Sequence, residues 1–264
     1  MSASDTYYRD HWARIEPALV PMYEEFFRWQ PNMEALIKGA NIVPGVSVID
    51  YGCGPGFLTL ELAKRVGPSG HVAGCDLNAA FLAGARTRAE SEGLTDRIDW
   101  HHTTDDRIPI PDGSVDRVLC KNVLEYVPDL ATTVAEFHRV LKPGGIAHAI
   151  DSDWSALIIE PVGPERVSRL LAAARPAYRD PMAGRHLYGA MRMAGFTEVK
   201  VEIFARPDTR GQLLPVAMTL VTYAKQFGQM PENEADAVTA DCQAAIDNGT
   251  YMLFLPQFLV TAVK

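Results

Sequence analysis

The stretch Asp50-Tyr-Gly-Cys-Gly-Pro-Gly56 sets a carboxylate and then three glycines at every second position. Glycines do no chemistry of their own; they strip side chains from the backbone, so a ligand can reach main-chain N–H groups directly. The flanks say where that backbone sits. Residues 46–49 form a β-branched apolar run of buried-strand length, and residues 58–66 carry a helical pattern. Strand, glycine turn and helix open a doubly wound sheet, and the helix N-terminus adds unpaired N–H groups. A pyrophosphate cradle would need G-x-G-x-x-G, but counting from Gly52 the third place is Phe57, and Gly56 arrives one residue early. The bland alternative is a tight strand-to-helix turn that holds no ligand.

A second carboxylate ends the next apolar run, His71-Val-Ala-Gly-Cys-Asp76. An acid at the end of strand two is where nucleotide-binding α/β proteins receive ribose hydroxyls. Asp76 also stands where it can cap the helix predicted over residues 79–92, a role compatible with ligand binding. Strand three is predicted over residues 97–103, followed by Thr104-Asp-Asp-Arg-Ile-Pro-Ile-Pro-Asp-Gly-Ser-Val-Asp116. Strand four, residues 114–121, leads into Asn122-Val-Leu-Glu-Tyr-Val-Pro-Asp129, and a helix over residues 130–141 stops at Lys142-Pro-Gly-Gly145 before a fifth strand, 146–150.

In this order, the glycine turn, the strand-two acid, P-D-G-S-V-D and L-K-P-G-G resemble the class I S-adenosylmethionine-dependent methyltransferases, and within them the type 11 group, which includes quinone-biosynthesis C-methyltransferases. The resemblance covers a little under half of the chain and weakens beyond strand five. It implies S-adenosylmethionine as cofactor, with Asp50, Gly52, Cys53, Gly54 and Gly56 forming its turn and Asp76 and Leu77 beside it. An acid after strand three would face the adenine amino group. Counting back from Ile108-Pro109, its place falls on Thr104; a turn one residue different would bring Asp105 there, leaving Asp106 as a cap or facing solvent. Lys121 and Asn122 would run beneath the cofactor and toward the methyl acceptor.

The composition narrows the partners. The chain has 264 residues, 47% hydrophobic and 22% charged, enough for one sizeable α/β domain with material left over for a cap. Its 25 basic against 33 acidic residues give a net charge of −8, so no basic field draws it to nucleic acid or an anionic membrane. Cys53, Cys75, Cys120 and Cys242 lack C-x-x-C spacing and read as reduced core residues of a cytoplasmic protein. No signal peptide is expected from residues 1–10, nor a membrane span from the apolar C-terminus, which Pro256 interrupts.

The fold expected is therefore α/β: a doubly wound, Rossmann-like sheet of seven strands with the last antiparallel, in a single domain. Its core is residues 41–151, with an N-terminal helical lid over residues 1–40 and a substrate-side half over residues 152–264. That half holds an alternating strand at 197–204, a helical insertion at about 211–247 and a final strand at 251–263. The aromatics Tyr7, Tyr8, Trp12, Tyr23, Phe26, Phe27 and Trp29 either cover the sheet edge or close over the ligand, where ring faces would suit a cationic sulfonium.

Methyl transfer from a sulfonium needs alignment and exclusion of water more than a catalytic triad. A general base is required only for an acceptor that loses a proton. Candidates near the expected mouth are Glu125, Tyr126, Asp153 and His11, with Asp151 and His186 behind them; the plain reading of each is a surface or supporting polar residue. Strand four ends in Cys120-Lys121-Asn122, which offers no acid for a divalent cation, so no metal is expected. The loop lacks the [DN]-P-P-[YFW] pattern of base-modifying enzymes and the paired glutamates of arginine methylation. A small-molecule acceptor attacked through O, N or C remains, and the aromatic cap points to specialised metabolism. A homodimer is left open. The alternatives are an enzyme of the same fold that uses the cofactor without transferring its methyl, as in cyclisation, and a non-catalytic cofactor-binding protein.

Overall fold

The computed structural model describes residues 6–104 and 107–264. Apolar, β-branched runs form the strands β1 (Ser47–Tyr51), β2 (His71–Asp76), β3 (Ile98–His102), β4 (Val115–Lys121), β5 (Leu141–Ser152), β6 (Ile158–Glu160), β7 (Thr197–Phe204), β8 (Met252–Phe254) and β9 (Gln257–Val263). The helices are α1 (Tyr7–Ala13), α2 (Val20–Phe27), α3 (Glu34–Ile37), α4 (Phe57–Val66), α5 (Ala79–Ser91), α6 (Leu130–Val140), α7 (Pro164–Ala174), α8 (Ala183–Met193), α9 (Leu214–Gln226) and α10 (Glu232–Asn248).

Seven strands form one sheet in the order β3-β2-β1-β4-β5-β9-β7. The first five run parallel, and β9 inserts antiparallel between β5 and β7. The order reverses direction between β1 and β4, and in such sheets ligands lie outside the carboxyl ends of the strands at that switch point. One face is packed by Val48, Leu60, Ala63 and Val66 and the other by Val118, Phe137, Val140 and Leu187, all buried, so the strand ends rest on a rigid two-sided core.

Three boundaries differ from the sequence reading. The final strand is two strands: at Pro256 the chain leaves a ribbon of β6 and β8 and enters the main sheet as β9. Proline has no N–H to continue a ladder, and the break lets one segment serve both sheet and cap. The expected lid, residues 1–40, also divides. Leu36, Ile37 and Ala40 pack into the sheet core, and the buried His148 bonds the Leu36 carbonyl oxygen at 2.7 Å, so only α1 and α2 lie over the strand ends. The cap, finally, is wider than an insertion at 211–247. Leu157, Ile159, Leu170, Ala174 and Leu253 share a separate core with Leu220, Val238 and Cys242. The four cysteines are buried and unpaired, and no helix among the described residues is long and apolar enough to cross a membrane.

Candidate functional site

The glycine turn is folded by hydrogen bonds that it makes with itself and with β2. Asp50 is buried and accepts from the Thr59 hydroxyl at 2.6 Å, which clamps the end of β1 to the first turns of α4. Burial pushes its carboxyl up to about 7, against the Thr59 bond and with the nearby Asp76 charge. The N–H groups of Gly52 and Cys53 donate to the Cys75 carbonyl at 2.8 and 3.0 Å, hooking the turn onto β2. Gly54 N–H then donates to Asp76 Oδ2 at 2.7 Å, while Asp76 Oδ1 accepts from Asn78 N–H at 2.8 Å.

The glycines serve different ends. A Cβ on Gly52 would strike the Val123 side chain, and one on Gly56 would lie 2.7 Å from Ala85 Cβ; both glycines are required by packing. Gly54 has φ +51°, and a Cβ there would have no neighbour within 4 Å. It is thus the one glycine of the turn whose bare main chain looks onto open space. Beside it stands Asp76, whose backbone donors Gly54, Asn78 and Leu77 leave it room for a further bond, because a carboxylate accepts about four hydrogen bonds. Burial raises the Asp76 pKa, and the backbone donors Asn78 and Gly54 oppose that rise.

The loop after β4 forms the opposite wall. Asn122 takes the left-handed conformation (φ +55°) and accepts from Gln257 Nε2 at 3.0 Å, which joins β4 to β9. Asp151, fully buried at the end of β5, accepts from Val123 N–H at 3.2 Å and Leu124 N–H at 2.8 Å, so its role is to hold this loop; burial pushes it up to about 7. Glu125 is buried and accepts from the Trp154 indole N–H. Burial, reinforced by the Asp151 charge, drives its pKa well above the carboxylate range. Lys121 is pushed down by burial and pulled back up by the charges of Asp151, Asp50 and Glu125.

Against this floor pack α1 and α2. Asn78, the N-cap of α5, donates through Nδ2 to the Trp12 carbonyl at 2.8 Å, and Arg9 reaches the Thr104 carbonyl at 2.5 Å. Arg88 of α5 pairs with Glu24 of α2 at 3.0 Å. Trp12 packs on Tyr126 with ring centroids 5.1 Å apart, Tyr126 stacks on Tyr178 at 5.6 Å, and Tyr178 meets Tyr223 of the cap edge-on at 6.1 Å. His11 sits among these rings, bonded to Tyr7 and Tyr23 at 3.2 and 3.1 Å. α1, α2, the β4 loop and α9 thus meet in one aromatic cluster.

Of the residues singled out from sequence, the structure brings Gly52, Cys53, Gly54, Gly56, Asp76 and Leu77 together at the ends of β1 and β2, and Lys121, Asn122, Glu125, Tyr126 and His11 across from them. Thr104 is exposed and touches the lid through its carbonyl. Asp105 and Asp106 lie outside the described residues. Two candidate bases are engaged elsewhere. Asp153 is buried, accepts from Ser155 N–H at 3.0 Å and from the Ser155 hydroxyl at 2.7 Å, and pairs with Arg185; this carboxylate holds a turn. His186 pairs with Asp180 at 2.7 Å and is half exposed. Sequence reasoning missed Asn78, Trp154, Tyr178 and Tyr223. Only Asn78 carried a signal, an Asn directly before a helical run; the others arrive from distant segments.

Residues 48–145 match the family model described as a methyltransferase domain. Among curated proteins, 2-phytyl-1,4-naphtoquinone methyltransferase of Nostoc sp. is 34% identical over 139 residues, 50% of this chain and 61% of that protein. An uncharacterized 37.1 kDa protein in transposon TN4556 of Streptomyces fradiae is 40% identical over 118 residues, 44% of this chain and 33% of that one. The chain thus spans between a third and two thirds of these relatives. Among solved structures, a SAM-dependent methyltransferase from Aquifex aeolicus superposes with a TM-score of 0.55 at 18% identity, covering 95% of this chain and 99% of that chain, a likeness of fold. Residues 48–145 thus match a methyltransferase domain, and the seven-stranded sheet built around them has the fold of the SAM-dependent methyltransferase from Aquifex aeolicus.

Proposed function

We propose that this chain binds S-adenosylmethionine at the glycine turn and transfers its methyl group to a small-molecule acceptor held beneath the lid. The observation that carries the reading is the pairing of open main chain at Gly54 with the Asp76 carboxylate 2.7 Å from it. Asp76 supplies acceptors for the ribose hydroxyls. Gly52, Cys53, Gly54 and Gly56 form the bare turn; Leu77 and Thr104 flank the adenine side; Lys121 and Asn122 underlie the reactive end. Asp50 supports the turn through Thr59. When bound, the sulfonium supplies an already activated methyl group, so the protein's part is orientation and exclusion of water.

The acceptor side is assigned to the lid, Glu125, Tyr126 and the cap. Flat apolar walls with few polar points suit a small organic acceptor, and the net charge of −8 argues against nucleic acid. The relative from Nostoc acts on a naphthoquinone by its name, and a ring-bearing acceptor agrees with the aromatic wall here. Four buried, unpaired cysteines favour a reducing, cytoplasmic setting. Product analysis after incubation with S-adenosylmethionine and an acceptor library tests the assignment. S-adenosylhomocysteine with a methylated product supports it; methylthioadenosine would establish cyclisation instead, and tight binding without turnover a non-catalytic role.

A further inference from the structure

We infer that the outer edge of the sheet, strand β7, is a docking surface for the same edge of a second copy of this chain, joining two sheets into one about a two-fold axis at Val201. β7 ends the strand order and pairs with β9 alone. Among the described residues its main chain has no hydrogen-bonded neighbour on the other side, so alternate N–H and C=O groups face outward. The side chains beside them are bare as well. Val260 and Ala262 of β9 are buried with Leu187 and Met191 of α8. One strand further out on that same face, Val201 is 40% and Ile203 58% exposed.

The charges on the opposite face identify the occupant. Lys200 and Glu202 flank Val201, are exposed, and have no hydrogen bond or ion pair among the described residues. When two β7 strands run antiparallel with Val201 opposite Val201, Lys200 of each copy stands opposite Glu202 of the other, so the attractive pair forms twice. On the apolar face Val199 meets Ile203, also twice. Other registers lose the match. Centring on Glu202 sets glutamate against glutamate, centring on Lys200 sets lysine against lysine, and centring on Ile203 sets Lys200 against Arg206. Centring on Val199 would pair Glu198 with Lys200, but the ladder is broken there by a bulge in which Glu198 has φ +47°. The charges that turn away other strands thus admit this one.

The inference goes beyond the methyl-transfer reading and stands without it. β7 lies four places from β1 in the strand order, so two copies joined at β7 leave both glycine turns uncovered. The strand between β7 and β5 is β9, which begins at Gln257, the residue that donates to Asn122 in the loop after β4. Pairing at β7 makes β9 a more interior strand of a joined sheet and steadies the segment that carries this bond. An edge of eight residues is a small contact beside the roughly 800 Å² per partner of a standard interface, so the association is reversible and depends on concentration.

Sedimentation equilibrium of the wild-type chain over a series of concentrations tests it, and should fit a monomer–dimer equilibrium. Lys200→Glu and Glu202→Lys each set like charges opposite one another twice, and each should weaken the dimer by roughly tenfold or more. An equimolar mixture of the two variants puts opposite charges back in both places and should restore it, as should one chain carrying both changes. A second measurement locates the axis. Val201→Cys should oxidise to a disulfide-linked dimer, because facing residues of antiparallel strands lie within bridging distance, and Ile203→Cys should not. A monomer up to the highest soluble concentration, or a dimer that survives both charge reversals, overturns the inference. So does cross-linking through Ile203→Cys in place of Val201→Cys. None of these readouts depends on what the glycine turn binds.

Discussion

The glycine turn and the aromatic wall lie at the same end of the sheet, yet they are built on opposite principles. From Asp50 to Asn78 the turn is main chain and short carboxylates, closed by hydrogen bonds between the turn, the end of β2 and the starts of α4 and α5. The wall is side chain: Tyr7, Trp12, Tyr23, Tyr126, Tyr178 and Tyr223 arrive from the N-terminus, the β4 loop and two parts of the cap. A backbone site tolerates little change, because each N–H has a fixed place. A site of converging side chains can be rebuilt for another acceptor while the turn stays as it is, which is how one fold serves many substrates.

The sharpest way to break the contrast is within the turn itself. Gly52→Val places a side chain against Val123 in a left-handed backbone and is expected to prevent folding, seen as loss of the cooperative melting transition. Gly54→Val meets no protein atom within 4 Å. It should fold at a cost of about 1–2 kcal/mol for the left-handed backbone and lose S-adenosylhomocysteine binding; retained binding would remove the turn from the site.

Asp76→Ala comes next, with S-adenosylhomocysteine affinity lowered by about 1–3 kcal/mol, the scale of losing a charged hydrogen-bond partner. Equal affinity in a folded variant would show that the carboxylate only braces Gly54. Asn78→Ala tests the join between the regions. It removes the α5 cap and the bond to Trp12, and should lower stability by about 1 kcal/mol in denaturant titration. An unchanged midpoint would mean that neither the α5 cap nor the bond to Trp12 contributes to stability.

A further effect expected is one of pH. Asp50, pushed up by burial to about 7, binds a proton in the folded state over a range where the unfolded chain has lost it. Its contribution to stability therefore falls as pH rises from about 4 to 7. Asp50→Asn should flatten that slope in melting temperature against pH, and an unaltered slope would assign it to other groups such as Asp151.

What could be read from sequence follows the same division. The succession of strands and helices up to β5 and the glycine turn at the end of β1 were legible because each depends on residues within a few positions, where period and glycine spacing report directly on backbone. The split at Pro256 was misread as an interruption of one strand, because a proline marks a break without saying where the two halves go. Asp153 looked available as a base, since nothing near it in sequence announces Arg185. Tyr178 and Tyr223 carried no signal at all; their meeting with Tyr126 depends on how the cap packs on the sheet.

The central claim is that an adenosyl sulfonium compound belongs against Gly54 and Asp76. Calorimetric titration of the wild-type chain with S-adenosylhomocysteine, and in parallel with NADH, tests it most directly. Saturable one-to-one binding of S-adenosylhomocysteine with no heat from NADH is the expected result; no binding, or preference for NADH, would contradict it.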